Sequence, residues 1–246
     1  MLLYNHTKPP LAVAVCRVNR AKTFIFSISL LCGAFTSTQV DADSRVVSGV
    51  SSININNNQM INARDVQIIF VDLQPELIKD SQTVKPEALT ANAAVLAKVA
   101  KLTEVPVTFS IVPVQGIAGR NIPELIQYTN ANNTVPRILA GTFTEPRLVS
   151  VLASHKRNEL VIAGYATEVA VLQTALNALK AGYTVYVAVD ATGSRSGRTE
   201  SAAMRQMELA GAIPTSVLAV AAQIAPDFSK KPGSDVLATF DSLSPP

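Results

Sequence analysis

The chain has 246 residues, 48% hydrophobic and 16% charged, with a mean hydropathy of +0.26. That length and composition suit one well-buried domain with accessory segments and exclude a disordered body. The formal net charge of +3 belongs to residues 1–42, where Lys8, Arg17, Arg20 and Lys22 meet only Asp41; the remainder holds 17 of the 21 basic and 17 of the 18 acidic residues, so no nucleic-acid surface is expected.

Residues 1–42 read as an export signal. Arg20 and Lys22 precede an apolar run, Thr23 to Phe35, that is too short to span a bilayer comfortably, and Val40-Asp41-Ala42 fits a small-residue cleavage site. The expected product is exported, periplasmic or secreted, after cleavage near Ala42, with no stable membrane span. The alternative is a membrane anchor formed by residues 23–35. Cleavage would remove Cys16, Cys32 and His6 and leave His155 as the one histidine. That inventory excludes Cys-His and Ser-His-Asp mechanisms and any two-histidine metal site, and no metal or cofactor is expected. His155, in Ser154-His155-Lys156-Arg157, reads as a solvated cation at a helix end.

Residues 43–64, with Asn56-Asn57-Asn58 and little periodicity, form a polar linker or arm. The apolar run Val66 to Val71 then predicts a strand buried on both faces that ends on Asp72, ahead of Leu73, Gln74 and Pro75. Leu89, Ala93, Leu96 and Ala100 give Glu87 to Leu102 the stripe of a core-facing helix. Val107 to Val112 is the next strand, Asn121 to Tyr128 a short helix, and Val135 to Ala140 an extended piece carrying Arg137. Thr144 is placed to cap a helix with Pro146 in its first turn and Leu148 and Leu152 inward.

Glu159 to Asp190 has the proportions of a parallel strand, helix, strand unit. Leu160 to Ala163 is apolar and breaks at Gly164; Val169, Leu172, Leu176 and Leu179 recur at helical spacing; Gly182 stops the helix; Tyr183 to Val189 is the second strand. Ala191 to Thr199 is a polar loop with Ser194, Arg195 and Arg198. Thr199 to Leu209 is a helix, Ala212 to Thr215 a short strand and Val217 to Ile224 a last helix. The domain spans 65–224, and 225–246 is a C-terminal extension that packs loosely or reaches a partner subunit. Six strands alternating with helices predict a doubly wound, mostly parallel α/β sheet of Rossmann-like type with helices on both faces.

The pattern G-x-x-T-E-x-(C)-V-x-x-T-A, met by Gly164, Thr167, Glu168, Val171, Thr174 and Ala175, and G-Y-x-V-x-V-x-x-D-A, met by Gly182, Tyr183, Asp190 and Ala191, resemble the signature of the isochorismatase-like cysteine hydrolases. Asp72 with Gln74 resembles that family's first motif, and Arg137 with Phe143 its basic residue and following aromatic. Ala170 stands where most of the family has its nucleophilic cysteine. The resemblance implies strand order 3-2-1-4-5-6, a cis peptide at Tyr165-Ala166, and an oxyanion hole from the Ala166 and Ala170 amides. It further implies Asp72 and Arg137 as catalytic groups, and a substrate pocket with Gln74, Phe143, Tyr165, Ala166 and Thr167. Family members are commonly homo-oligomers. Pro113-Val114-Gln115-Gly116 stands where one branch of the family has metal-binding histidines, so that branch's metal site is absent.

A methyl group at residue 170 rules out thioester chemistry there. The expected function is therefore a hydrolase acting on a small molecule without a thiol, Asp72 serving as general acid or base while Arg137 orients a substrate carboxylate. The alternative is an inactive member of the family that keeps a binding or assembly role. A polar cavity joining Asp72, Arg137 and the Ala166 and Ala170 amides favours the first; a filled one favours the second. Export is tested by the intact mass of the protein from its native host, which should lack residues up to about Ala42; a full-length intracellular product would refute it.

Overall fold

The computed structural model describes residues 60–245; the leader, His6, Cys16, Cys32 and most of the 43–64 arm lie outside the described residues. In chain order the elements are β1 (Val66–Val71), α1 (Pro75–Ile78), α2 (Pro86–Leu102), β2 (Val107–Ile111), α3 (Pro123–Ile126) and β3 (Thr134–Pro136). There follow α4 (Pro146–Ser154), β4 (Glu159–Tyr165), α5 (Leu172–Lys180), β5 (Thr184–Gly193), α6 (Gly197–Leu209), β6 (Ile213–Thr215), α7 (Val217–Ile224) and α8 (Gly233–Leu237). Helices α1 to α4 each open on a proline, whose fixed φ suits the first turn and whose missing N–H is not needed there.

The six strands form one parallel sheet in the order β3-β2-β1-β4-β5-β6. The order reverses between β1 and β4, and in such sheets the ligand crevice lies beyond the strand ends at that point. Val71 pairs with Ser110 of β2 on one side and Gly164 of β4 on the other, so Asp72 emerges between the heads of both neighbours.

Alternate residues of β1 feed two cores. Ile68 and Phe70 pack with Leu89, Leu96 and Val220 under α2 and α7, while Ile69 and Val71 pack with Leu148, Leu152 and Ala178 under α4 and α5. Gln67 is the buried polar exception: its Nε2 donates to the carbonyls of Leu152 (3.3 Å) and Arg157 (3.0 Å), and its Oε1 lies 2.7 Å from His155 Nδ1. His155 is thus half-buried and bonded, not the solvated cation the sequence suggested. Burial, and after it the Arg157 charge, hold its pKa below the ordinary value and favour the neutral ring.

Several boundaries differ from the sequence reading for local reasons. Strand β4 does not break at Gly164 but runs to Tyr165, because the glycine marks close packing: a Cβ there would lie 2.9 Å from Val71 Cβ and 3.2 Å from Val171 Cγ2. Thr167–Val171 is a π-turn ahead of α5. The buried face consequently falls on Ala170, Thr174, Ala175 and Ala178, with Leu172 and Leu179 at its flanks, while Val169 is 46% exposed. Strand β5 continues through Asp190 to Gly193, and the Asp190 carboxylate accepts from the Val217 N–H at 2.9 Å, capping α7. Glu145, not Thr144, caps α4 by accepting from the Arg147 N–H at 3.2 Å. The tail folds onto its own domain: α8 buries Val236, and Asn92 exchanges hydrogen bonds of 3.0 and 2.9 Å with the Ser244 backbone. Among the described residues no helix is long and apolar enough to cross a membrane.

Candidate active site

Asp72 leaves β1 with φ +55, the left-handed region that few residues other than glycine adopt and that Asp tolerates better than most. Its N–H still donates to the Ser110 carbonyl at 2.9 Å, as though the strand continued, while its own carbonyl accepts from the Gln74 N–H at 2.8 Å. Unfavourable backbone at a strand head is the kind of feature that marks functional positions. The side chain is 8% exposed; Oδ2 accepts from Arg137 Nη2 at 2.5 Å, and Oδ1 is buried without a hydrogen-bond partner.

Arg137 arrives from the head of β3, just outside that strand, with its N–H bonded to the Ile111 carbonyl at 2.9 Å. Its side chain crosses the head of β2 to reach Asp72. On the way Nε donates to Ser110 Oγ at 2.9 Å and Nη1 donates to the Leu139 carbonyl. Each guanidinium nitrogen therefore has one protein acceptor, and together these occupy three of the five N–H groups. Burial pushes the Asp72 carboxyl up to about 6, against the opposing pull of the Arg137 charge and hydrogen bond.

The other expected site residues divide between the crevice and the frame. Gln74 is buried and both ends of its amide engage the Val112 backbone, Nε2 donating at 2.9 Å and Oε1 accepting at 2.8 Å, so it clamps the exit of β2 to that of β1. The Thr167 hydroxyl reaches the Gly193 carbonyl (3.1 Å) and Glu200 Oε1 (2.8 Å), tying the π-turn to β5 and α6. Phe143 packs edge-on against Tyr183 with ring centroids 6.1 Å apart and is not brought to Asp72. Tyr165 lies in the core under α2, and burial raises the pKa of its hydroxyl against the opposing pull of Arg195.

The Tyr165-Ala166 peptide is cis, as the resemblance implied. Among the described residues the Ala166 N–H forms no hydrogen bond, and the Ala170 N–H donates to nothing outside its own turn. The Ala170 side chain is buried in the core under α4 and α5. A cavity of about 640 Å³ opens beside Arg137, but Asp72, Ala166 and Ala170 do not line it. Among the described residues no cluster of His, Cys, Asp or Glu could hold a metal ion.

Sequence reasoning missed Ser110 and the Leu139 carbonyl. The signal for Ser110 was available: it is a hydroxyl in the mostly apolar run Val107 to Ile111, and the register sets it beside Val71 and Val135, two residues before Arg137. Nothing local announces the Leu139 carbonyl.

The architecture is a doubly wound parallel α/β domain in which a buried carboxylate and guanidinium join the heads of β1 and β3 across β2, beside the switch point. Residues 66–218 match the isochorismatase domain model, and the chain belongs to that family. It is 30% identical over 166 residues to isochorismatase domain-containing protein 2 of Rattus norvegicus, covering 65% of this chain and 74% of that protein. It is 25% identical over 169 residues to the probable hydrolase YcaC of Escherichia coli, covering 68% and 81%. The solved structure of E. coli YcaC, described as an octameric hydrolase of unknown specificity, superposes with a TM-score of 0.70 at 24% identity, covering 75% of this chain and 91% of that one. A 72-residue stretch is 38% identical to the secreted isochorismatase effector Isc1 of Phytophthora sojae, covering 29% and 34%.

The electrostatics have a measurable sign. Because the folded-state pKa of Asp72 lies above its ordinary 3.8, the contribution to stability is complete below that value and is lost as pH rises to about 6. Urea unfolding should show a decline between pH 4 and 6, with roughly 3 kcal/mol as the upper bound from this group. The Asp72→Asn variant should show a shallower decline, and equal slopes in the two proteins would contradict the assignment.

Proposed function

We propose that this domain is a small-molecule hydrolase that works through Asp72 and Arg137 without a covalent intermediate. The observation that carries the reading is the buried Asp72–Arg137 contact, in which one carboxyl oxygen is fixed by the guanidinium and the other is uncommitted. A carboxyl group titrating near 6 can hold a proton at mildly acidic pH and release it to a reacting atom. With an enol ether as substrate, Asp72 donates its proton to the terminal carbon. Water then adds to the resulting oxocarbenium carbon and loses a proton, and the hemiketal collapses to a ketone and an alcohol. The carboxylate regains its proton from solvent. The N–H groups of Ala166 and Ala170, at the start of a helical segment, would favour any oxygen that gains negative charge.

A second reading, an inactive member that keeps a binding or assembly role, is favoured by one observation: the cavity beside Arg137 is not lined by Asp72, Ala166 or Ala170. Under either reading we propose a homo-oligomer and an exported product. YcaC, an octamer, supports the first, and the secreted Phytophthora relative supports the second.

Two variants separate the readings. Asp72→Asn should abolish hydrolysis while leaving the circular dichroism spectrum unchanged. Ala170→Cys places a thiol at the start of a helical segment, where thiolates are favoured, and its rate with iodoacetamide should exceed that of free cysteine at least tenfold. Undiminished hydrolysis in Asp72→Asn, together with ordinary reactivity in Ala170→Cys, would replace the hydrolase reading with the inactive one.

A further inference from the structure

Where the π-turn packs on α6, two glutamates each commit one carboxylate oxygen to two hydroxyls from other segments. Glu168 Oε1 accepts from Ser194 Oγ at 2.8 Å and from Thr199 Oγ1 at 2.9 Å. Glu200 Oε1 accepts from Thr167 Oγ1 at 2.8 Å and from Thr83 Oγ1 at 3.0 Å. The dipeptides Thr167-Glu168 and Thr199-Glu200 thus exchange hydroxyl-to-carboxylate bonds. Each of the two threonines also has a backbone carbonyl in reach, but at 3.1 Å it is the more distant acceptor. Hydrogen bonds to a carboxylate are roughly twice as strong as neutral ones.

Glu200 has an ordinary explanation, an acidic residue in the first turn of α6 that suits the helix dipole. That helix is capped without it, since the Ser196 hydroxyl accepts from the Thr199 N–H at 3.5 Å. The Glu200 oxygen joins instead the two segments that flank the switch point. Thr83 belongs to the segment that leaves β1 by way of Asp72 and α1, and Thr167 to the turn that leaves β4. The Thr83 end is itself pinned: its hydroxyl oxygen accepts from the Ser194 N–H at 2.8 Å, and the Ser194 carbonyl accepts from the Gln82 N–H at 2.7 Å. The π-turn needs such a hold from outside. Turns of this kind are rare and are often found at functional sites. Neither Ala166, where this one starts, nor Val171, where α5 takes over, has a side chain that caps the backbone.

We propose that Glu200 is a positioning residue. Through Thr167 it sets the turn that carries the Ala166 and Ala170 N–H groups, and through Thr83 it holds that turn in register with the segment that follows Asp72. It acts on the turn, not on a reacting atom. The inference rests on the hydrolase reading for the claim that the turn faces developing charge; the anchoring itself does not. The acceptor oxygen is what matters, rather than the negative charge. Glutamine would keep an Oε1 that accepts both hydroxyls, whereas alanine would leave Thr167 with its longer contact to the Gly193 carbonyl and Thr83 with one of 3.4 Å to the Ser194 carbonyl.

The test is amide hydrogen exchange of the full-length 15N-labelled protein, joined to the pH dependence of iodoacetamide reaction in the Ala170→Cys background. Glu200→Ala should speed exchange at least tenfold at Val169, Val171 and Leu172, whose N–H groups bond within the turn, and leave Ile68 and Phe70 of β1 within threefold of the parent. Glu200→Gln should stay within threefold of the parent at all these positions. With Cys at 170, Glu200→Ala should raise the pH midpoint of thiol reaction by about half a unit or more, because the thiolate loses aligned N–H groups. Loss of a nearby negative charge alone would lower that midpoint, and would do so equally in Glu200→Gln. If Glu200→Ala does not fold, Thr167→Val makes the same comparison, with Thr167→Ser as its rescue. Unchanged exchange in the turn, an equal rise in β1, failure of glutamine or serine to restore the parent behaviour, or a midpoint that stays or falls would overturn the inference. Hydrolysis is not read in these measurements. A turn that loosens as expected, in a protein whose Asp72→Asn variant loses no hydrolysis, would remove the hydrolase reading and leave Glu200 as the anchor of the turn.

Discussion

The structure turns on one desolvated contact, the Asp72 carboxylate against the Arg137 guanidinium. Both side chains are almost wholly withdrawn from water. Breaking such a pair by removing one member typically costs about 3–5 kcal/mol, because the other charge is left buried and uncompensated. The architecture answers that constraint at every level. Parallel order places the heads of β1, β2 and β3 side by side, Ser110 bridges the span between them, and a left-handed residue turns Asp72 off its strand. Gln74 holds the β2 exit in place with both ends of its amide.

At residue 170 the side-chain and backbone contributions of the turn separate. The π-turn Thr167–Val171 presents backbone N–H groups whatever side chain follows, and its hold on β5 and α6 runs through Thr167, Glu168 and Glu200 rather than through residue 170. An alanine there removes nucleophilic chemistry and leaves the amide dipoles. On the hydrolase proposal the chemistry moves protons rather than forming bonds to the protein, which places the whole demand on the Asp72 carboxyl.

Much of this was legible in the chain. A nearly continuous apolar run gave β1, helical periodicity gave α2, and Asp72 and Arg137 stood out because the resemblance paired them before the fold brought them into contact. What escaped was set by partners distant in sequence. Gly164 read as a strand end because the side chain it must avoid belongs to β1. The leucines of α5 read as its core face because local spacing cannot show how closely a helix approaches its sheet, and small residues took that face instead. His155 read as solvated because its partner, Gln67, is 88 residues away. Phe143 fitted a motif by spacing, yet its ring went to Tyr183.

The most direct measurement of the central claim is the pH dependence of kcat/KM for a hydrolysed substrate between pH 4.5 and 8.5. A single carboxyl acting as general acid and titrating near 6 predicts a plateau below that value and a tenfold fall per pH unit above it. A profile that is flat or rising across the same range would show that the proton on Asp72 is not what drives the reaction.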